Sequence, residues 1–201
     1  SHPKWTAGDR VLANGYSLSE DYWGGYAEKQ RINGDFLVAV PKALDLEQVM
    51  ALGTAGYTAM LCVHAVLDHG VKPEDGPILV TGAAGGVGSV AIMAMAKLGY
   101  EVASSTGRPD TADYLRSLGA SQIVAREDLA RPCKLLEEEL WAGVIDAVGD
   151  MTLATAIAQT KHEGIVAPCG LAGGFGLPAS VMPLILRGVT VRGVESIQTS
   201  M

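Results

Sequence analysis

The sequence predicts an α/β protein, a doubly wound parallel sheet of six strands with a small β unit in front of it. Three observations lead there. From Pro77 onward, short apolar runs alternate with stretches of helical length, and such alternation implies a parallel sheet covered on both faces. A glycine cluster, "TGAAGGVG" (81–88), separates one of these runs from an alanine-rich helical pattern, which is the context a phosphate-cradling turn requires. Before Pro41 the chain instead shows short β-type runs punctuated by turn signals.

The elements follow in order. "DRVLANGY" and "FLVAVP" read as strands of the β unit, with "WGGY" and "NGD" as turns. Residues 45–69 read as helix: Asp45 is placed to cap it, Glu47 suits its first turn and Gly70 stops it. Gly53 and Gly56 interrupt the pattern, so a kink or break is expected. "PILVTG", "EVASST", "SQIVA", "AGVIDAVG", "GIVAPCG" and "TVRGVES" then read as strands, the six of a doubly wound dinucleotide fold. Between them, 86–98, "DTADYLRSLG" and "MTLATAIAQT" read as helices, and "PASVMPLILRG" as a short helix or turn. "REDLARPCKLLEEELW" (126–141) reads as a charged connection whose Glu137 to Glu139 run is a solvated helix face.

Composition bounds the function. The chain of 201 residues is long enough to bury a sizeable core. A formal net charge of −7 leaves no basic excess to neutralise phosphates and argues against a nucleic-acid partner. Cys62, Cys133 and Cys169 are odd in number, far apart and without a CxxC spacing, so neither a disulfide framework nor a structural zinc site is expected. No run of about 18 apolar residues and no charged-then-apolar leader stands out, and the expectation is a soluble, cytoplasmic protein with no membrane partner.

The glycine turn has the spacing Ala83-x-Gly85-x-x-Gly88, with alanine in place of the first glycine of the strict pattern. Gly85 and Gly86 let the backbone approach a pyrophosphate, and the helix start adds N–H groups and the positive end of a dipole. Gly88 permits close packing of helix on strand. The competing reading is an ordinary strand–helix turn. At the end of the next strand, NAD-binding folds place an acid for the ribose hydroxyls; here the residues are "SSTGR" (104–108). Hydroxyls followed by a fixed, planar cation suit a 2′-phosphate, so NADP(H) is favoured, the alternative being Arg108 as a solvated residue at a helix entry. The turns Asp146 to Gly149 and Cys169 to Leu171 end later strands and are expected to edge the nicotinamide half. Cys169 reads more readily as a packed side chain than as a nucleophile, and His64 as a residue on a helix face.

The blocks "WGGYAE", "GTAGYTAMLCV" (53–63), "VTGAAGGVGSVA" (80–91), "STGR" (105–108), "WAGVIDAVGD" (141–150), "CGLAGGFGLP" (169–178) and "VMPLILRGV" (181–189) together resemble the acryloyl-CoA reductase branch of the medium-chain dehydrogenase/reductases, long grouped with quinone oxidoreductases. The resemblance implies a partial GroES-like substrate domain over 1–43 and an NADP-binding Rossmann domain over 44–198, with the active site in the cleft between them. It implies NADPH-dependent reduction of the C=C bond of a short α,β-unsaturated acyl-CoA, acryloyl-CoA to propionyl-CoA. Hydride goes to the β-carbon, the α-carbon is then protonated, and the enolate-like charge needs stabilisation.

Carried over by position, Ala84, Gly85, Gly86 and Val87 meet the pyrophosphate. Thr106, Gly107 and Arg108 hold the 2′-phosphate, and Arg126 lies near the adenosine end. Thr54, Leu171, Ile185 and Ser196 line the nicotinamide side. The branch uses no zinc, and no metal is expected. In relatives the last strand pairs across a dimer interface, so a homodimer is one expected assembly. Relatives are longer at both ends, so no catalytic residue is assigned within the chain. Trp5, Trp23, Tyr26 and Phe36 are expected to lose cover, with weak or moderate NADPH binding and poor turnover. Two other readings remain, an NADPH-dependent quinone or enone oxidoreductase and a non-catalytic NADPH-binding module.

Overall fold

The protein is described by a computed structural model that covers residues 2–197. Near the amino end, β1 (Val11–Ala13) and β2 (Leu37–Ala39) form a two-stranded antiparallel sheet with Leu12 opposite Val38. Tyr16 stacks on Phe36 with ring centroids 4.2 Å apart, Tyr22 meets the same ring edge-on, and the Trp5 indole donates to the Gly34 carbonyl at 2.8 Å. Trp23 and Tyr26 are exposed as expected. Trp5 and Phe36 are only half exposed, because these local partners cover them.

Helix α1 (Leu46–His69) starts at a reciprocal cap, Gln48 N–H to Asp45 Oδ1 at 2.7 Å and Asp45 N–H to Gln48 Oε1 at 3.0 Å. Gly53, at φ 49° and ψ −155°, breaks the helical path, a conformation that only a residue without Cβ enters cheaply. Gly56, the second expected interruption, is helical and buried. By length and composition α1 is long and apolar enough to cross a membrane, which the sequence reading did not anticipate. It is nonetheless broken at Gly53 and buries Cys62, Val63, Ala65 and Val66 in the core, as the central helix of a folded domain does.

Strands β3 (Ile78–Val80), β4 (Val102–Thr106), β5 (Gln122–Ala125), β6 (Trp141–Asp146), β7 (Thr160–Pro168) and β8 (Thr190–Val191) form one six-stranded parallel sheet in the order β5-β4-β3-β6-β7-β8. This is the Rossmann order, two halves wound outward from the centre. Helices α1, α2 (Gly86–Lys97) and α3 (Ala112–Ser117) pack on one face; α4 (Arg126–Leu129) and α5 (Asp150–Ala158) pack on the other. The period-two alternation of strands sorts the core: Ile78 and Val80 join Val66, Ile92 and Met95, whereas Leu79 joins Leu129, Leu153 and Ile157. Each such side chain contributes about 1.5–3 kcal/mol by leaving water. A short α6 (Met182–Leu186) precedes β8.

Three segments depart from expectation. Helix α5 stops at Ala158 and β7 already begins at Thr160, because the Gln159 side chain accepts the Trp141 indole N–H (3.0 Å) and donates to Glu137 (3.0 Å), while Thr160 pairs with Trp141. Strand β8 is short, but Arg192 and Val194 still donate backbone N–H groups to β7 at 2.9 Å. The Glu137 to Glu139 run is not a solvated helix face. The helix ends at Leu129, and the Glu137 carboxylate accepts both Arg131 Nη groups at 2.7 and 2.6 Å and the Lys134 N–H at 3.1 Å. Glu139 pairs with Arg187 at 3.3 Å. A charged run in sequence gave no sign that its partners would arrive from Arg131, Gln159 and Arg187.

Candidate functional site

The winding direction of the sheet reverses between β3 and β6, and ligands of such sheets sit beyond the strand ends at that point. A cavity of about 470 Å³ opens there. Its walls are the glycine turn after β3, the end of β4, the start of α4, the β6–α5 turn and the loop after β7.

The glycine turn is held from below. Ala83 N–H donates to Ser105 O at 3.1 Å and Gly85 N–H to Gly82 O at 2.9 Å. A Cβ on Gly88 would lie 2.5 Å from Gly82 O and 2.6 Å from Ala83 Cα, so α2 rests directly on the turn's backbone. Gly85 caps α2 from the exposed rim, and the first turn of α2 carries no acidic side chain. Its first N–H groups and the dipole therefore face the cavity mouth, where the acid in the lining is Asp150 on the opposite wall.

The β4 end supplies cations. Arg108 N–H donates to Thr106 Oγ1 (3.1 Å), the Thr111 hydroxyl donates to Arg108 O (2.6 Å), and the Arg108 guanidinium donates to Ala84 O (3.2 Å). The Arg126 guanidinium lies over Gly107, where any Cβ would strike it. Among the described residues neither arginine has a carboxylate partner. In a chain of net charge −7, two guanidinium groups at one cavity mouth without a carboxylate partner among the described residues mark a seat for an anion.

Asp146, fully buried at the end of β6, fixes the opposite wall. Its carboxylate accepts the Thr81 hydroxyl at 2.6 Å and Gly149 N–H at 2.8 Å, and Thr81 Oγ1 accepts Ala147 N–H at 3.2 Å. Burial pushes the Asp146 pKa up, against the pull of these donors. The lock ties β3 to β6 and shapes the turn that carries Val148 and Gly149 into the cavity wall.

The structure brings Ala84, Gly85, Thr106, Gly107, Arg108 and Arg126 together around this one cavity. Gly86 and Val87 follow in the first turn of α2, with Gly86 close under Ala55 of α1. The remaining expected residues lie elsewhere. Ser196 lines a second, apolar groove of about 460 Å³ between the β1–β2 sheet and α1, and Thr54, beside Gly53 in the groove wall, donates to Asn14 Oδ1 at 2.7 Å. Leu171 shares a shallow pocket with Cys169 and Val194, and Ile185 is exposed on α6. Sequence reasoning missed Ala130, Asp150, Met151, Thr152, Ala172 and Gly173 in the cavity wall and Asn14 in the groove. Of these, only the glycine-rich "LAGGFG" carried a local signal.

The chain's residues fit a dinucleotide, since bare glycines, helix N–H groups and arginines surround one cavity. They do not fit zinc. Among the described residues no group of three or more His, Cys, Asp or Glu side chains could hold a metal ion. His64 is exposed on α1, as expected of a helix-face residue, and His69 bonds to the Glu163 carbonyl at 2.9 Å.

Comparison with known proteins matches this geometry. The family described as zinc-binding dehydrogenase matches residues 86–200. Acrylyl-CoA reductase AcuI of Ruegeria pomeroyi is 54% identical over 198 residues, which are 98% of this chain and 60% of that protein. The yhdH oxidoreductase of Salmonella enterica, solved in complex with NADP, superposes with a TM-score of 0.95 at 52% identity, covering 98% of this chain and 61% of that one. Bacillus subtilis yhfP, named a putative quinone oxidoreductase and solved with NAD bound, superposes at 0.96 with 43% identity over 100% of this chain and 61% of its own. The chain thus spans about 60% of the length of these relatives. Sheet order, glycine turn and sequence agree, and the chain belongs to the zinc-binding dehydrogenase family.

Proposed function

We propose that the chain supplies the NADP(H)-binding part of a reductase that saturates the C=C bond of a short α,β-unsaturated acyl-CoA, acryloyl-CoA to propionyl-CoA. The observation that carries the cofactor is the pair of guanidinium groups, Arg108 and Arg126, that have no carboxylate partner among the described residues and stand at the mouth of the glycine-turn cavity. The acyl-CoA substrate is supported by the 54% identity to an acrylyl-CoA reductase.

When bound, NADPH supplies the hydride. The chain's own residues do the holding. Ala84 to Val87 and the start of α2 receive the pyrophosphate. Thr106, Gly107 and Arg108 take the 2′-phosphate, and Arg126 stands beside the adenosine. Leu171, Ile185, Ser196 and Thr54 are assigned to the nicotinamide side. Residues 1–43 are assigned to the substrate domain and 44–198 to the dinucleotide domain. The three free thiols suit a reducing, cytoplasmic compartment. Among the described residues β8 is an edge strand of the sheet, and with Phe175 and Ile185 exposed this supports a homodimer.

A titration of NADPH and NADH against the chain and its Arg108→Ala variant tests the cofactor assignment. Losing a charge-assisted contact to phosphate costs about 1.5–3 kcal/mol, so NADPH affinity falls about tenfold to a hundredfold. NADH affinity is unchanged. Equal weakening of both nucleotides sinks the 2′-phosphate clamp. NADPH consumption with acryloyl-CoA set against a quinone tests the acceptor, and faster turnover of the quinone reverses that assignment in favour of the activity for which the B. subtilis relative is named.

A further inference from the structure

The cofactor reading leaves one polar bond between the two sheets unused. The Thr54 hydroxyl donates to Asn14 Oδ1 at 2.7 Å. Asn14 follows β1 in the small sheet, and Thr54 follows Gly53, where the path of α1 breaks. The Thr58 hydroxyl donates to Thr54 O at 2.8 Å and ties the backbone after the break. The next residue, Ala55, lies against the first turn of α2, where a Cβ on Gly86 would come within 2.9 Å of Ala55 Cβ. Thr54 therefore stands one residue from a contact with the backbone assigned to the pyrophosphate. Arg108 and Arg126 mark the adenosine side of that backbone. The other arm of an extended dinucleotide leaves the pyrophosphate away from them, toward the groove whose wall holds Asn14, Gly53, Val90 of α2 and Ser196.

We propose that Asn14 is a positioning residue for the nicotinamide carboxamide, acting through Thr54. This rests on the NADP(H) assignment and adds to it the hydrogen-bond pattern that selects the nicotinamide end. A threonine hydroxyl has a single proton to donate and lone pairs to accept with. Here the proton is committed to Asn14 Oδ1, so the oxygen has only lone pairs to offer a ligand. A carboxamide presents an N–H donor on one side and a carbonyl acceptor on the other. Only the N–H side suits a Thr54 held in this way, so the bond to Asn14 decides which edge of the carboxamide meets α1. Without Asn14 the proton is released, and the hydroxyl turns to accept from the N–H or to donate to the carbonyl. The consequence is a loss of selectivity rather than a loss of the cofactor. In this arrangement only Thr54 touches the ligand, and the small sheet contributes the Asn14 acceptor.

The test compares NADP+ with its acetylpyridine analogue, in which a methyl group replaces the NH2 of the carboxamide and the rest of the molecule is kept. Binding is read by titration calorimetry, so turnover is not needed. The parent chain is expected to bind the analogue about threefold to tenfold more weakly, the effect of losing one neutral hydrogen bond. Thr54→Val and Asn14→Ala each bring the two ligands within about twofold of one another. Asn14→Leu carries the same arm if the alanine variant does not fold. Asn14→Asp keeps an oxygen to accept the Thr54 proton, and its charge acts alike on two ligands with the same pyridinium, so it retains the parent's ratio. A bond that merely held the small sheet to α1 would weaken both ligands equally in Asn14→Ala and leave the ratio unchanged, and that result overturns the proposal. Equal binding of the two ligands by the parent overturns it too, with the NADP(H) assignment intact. Saturation by neither ligand overturns the NADP(H) assignment and this inference with it.

Discussion

At the scale of single residues, the glycine turn separates two demands that the spacing alone merges. Gly88 answers to the fold. A methyl there would press on three backbone atoms, Gly82 O at 2.5 Å, Ala83 Cα at 2.6 Å and Ala83 O at 2.7 Å, none of which can rotate away. On the proposed cofactor assignment, Gly85 answers to the ligand. Its methyl would meet only Gly82 O at 3.1 Å, from the exposed rim of the cavity. In an open helix interior, Gly→Ala stabilises by about 1 kcal/mol. At Gly88 overpacking of about 3 kcal/mol outweighs that gain, so Gly88→Ala lowers the Tm by about 4–8 °C. Gly85→Ala keeps its Tm within about 3 °C yet loses NADPH affinity by at least about tenfold. Thermal melts and a nucleotide titration on both variants check the division. Equal Tm losses would show that the two glycines share one role.

At the scale of elements, the irregular segment between α4 and β6 is held by charge rather than by a repeating ladder. The Arg131 guanidinium, with the Lys134 N–H and Gln159 amide, pulls the Glu137 pKa from 4.5 to about 2. A carboxyl lowered in the folded state adds stability that is complete above its unfolded pKa and lost as pH falls through the folded one. The window here runs from 4.5 down to about 2. Arg131 is 40% exposed, so solvent screening reduces the contribution to about 2 kcal/mol. Glu137→Gln should lose about that much at neutral pH, and urea midpoints of parent and variant should converge as pH falls through the window. A constant gap across it would assign the effect to packing. This element also shows where legibility ended. Helix α1, the six strands and the glycine turn were readable because caps, periodicity and turn glycines act within a few residues. Arg131–Glu137 and Gln159–Trp141 were not, since their pairing needs chain folded from 18 or more residues away in one case and a helix that stops early in the other. The Thr81–Asp146 lock, 65 residues apart, was likewise invisible, although it shapes the cavity wall. Arg108 was legible from local chemistry, whereas Arg126 came only with the family resemblance.

At the scale of the whole molecule, two sheets of unequal strength share one chain. The six-stranded sheet is covered on both faces. The β1–β2 pair has three residues per strand, and an isolated two-stranded sheet is marginal in water. Few polar ties hold it to the rest: Thr54 to Asn14 at 2.7 Å, and Arg10 to the Leu44 carbonyl at 2.5 Å. Between the strands, Trp23, Tyr26, Lys29 and Arg31 are exposed. The amino-terminal sheet should therefore open locally without unfolding the larger one. Trypsin should cut first at Lys29 or Arg31 and leave a resistant core that starts near α1. NADPH at about a hundred times its Kd stabilises whatever binds it by about 2.7 kcal/mol. Because the cavity walls all come from residues 82–173, that ligand should slow loss of the core but leave the first cut unchanged. A first cut at Arg116 or Arg131 would mean that the larger sheet opens first. Protection of Lys29 and Arg31 by NADPH would mean that the small sheet closes over the cofactor, and its exposed aromatic residues would then belong to the binding surface rather than to a loosely held flap.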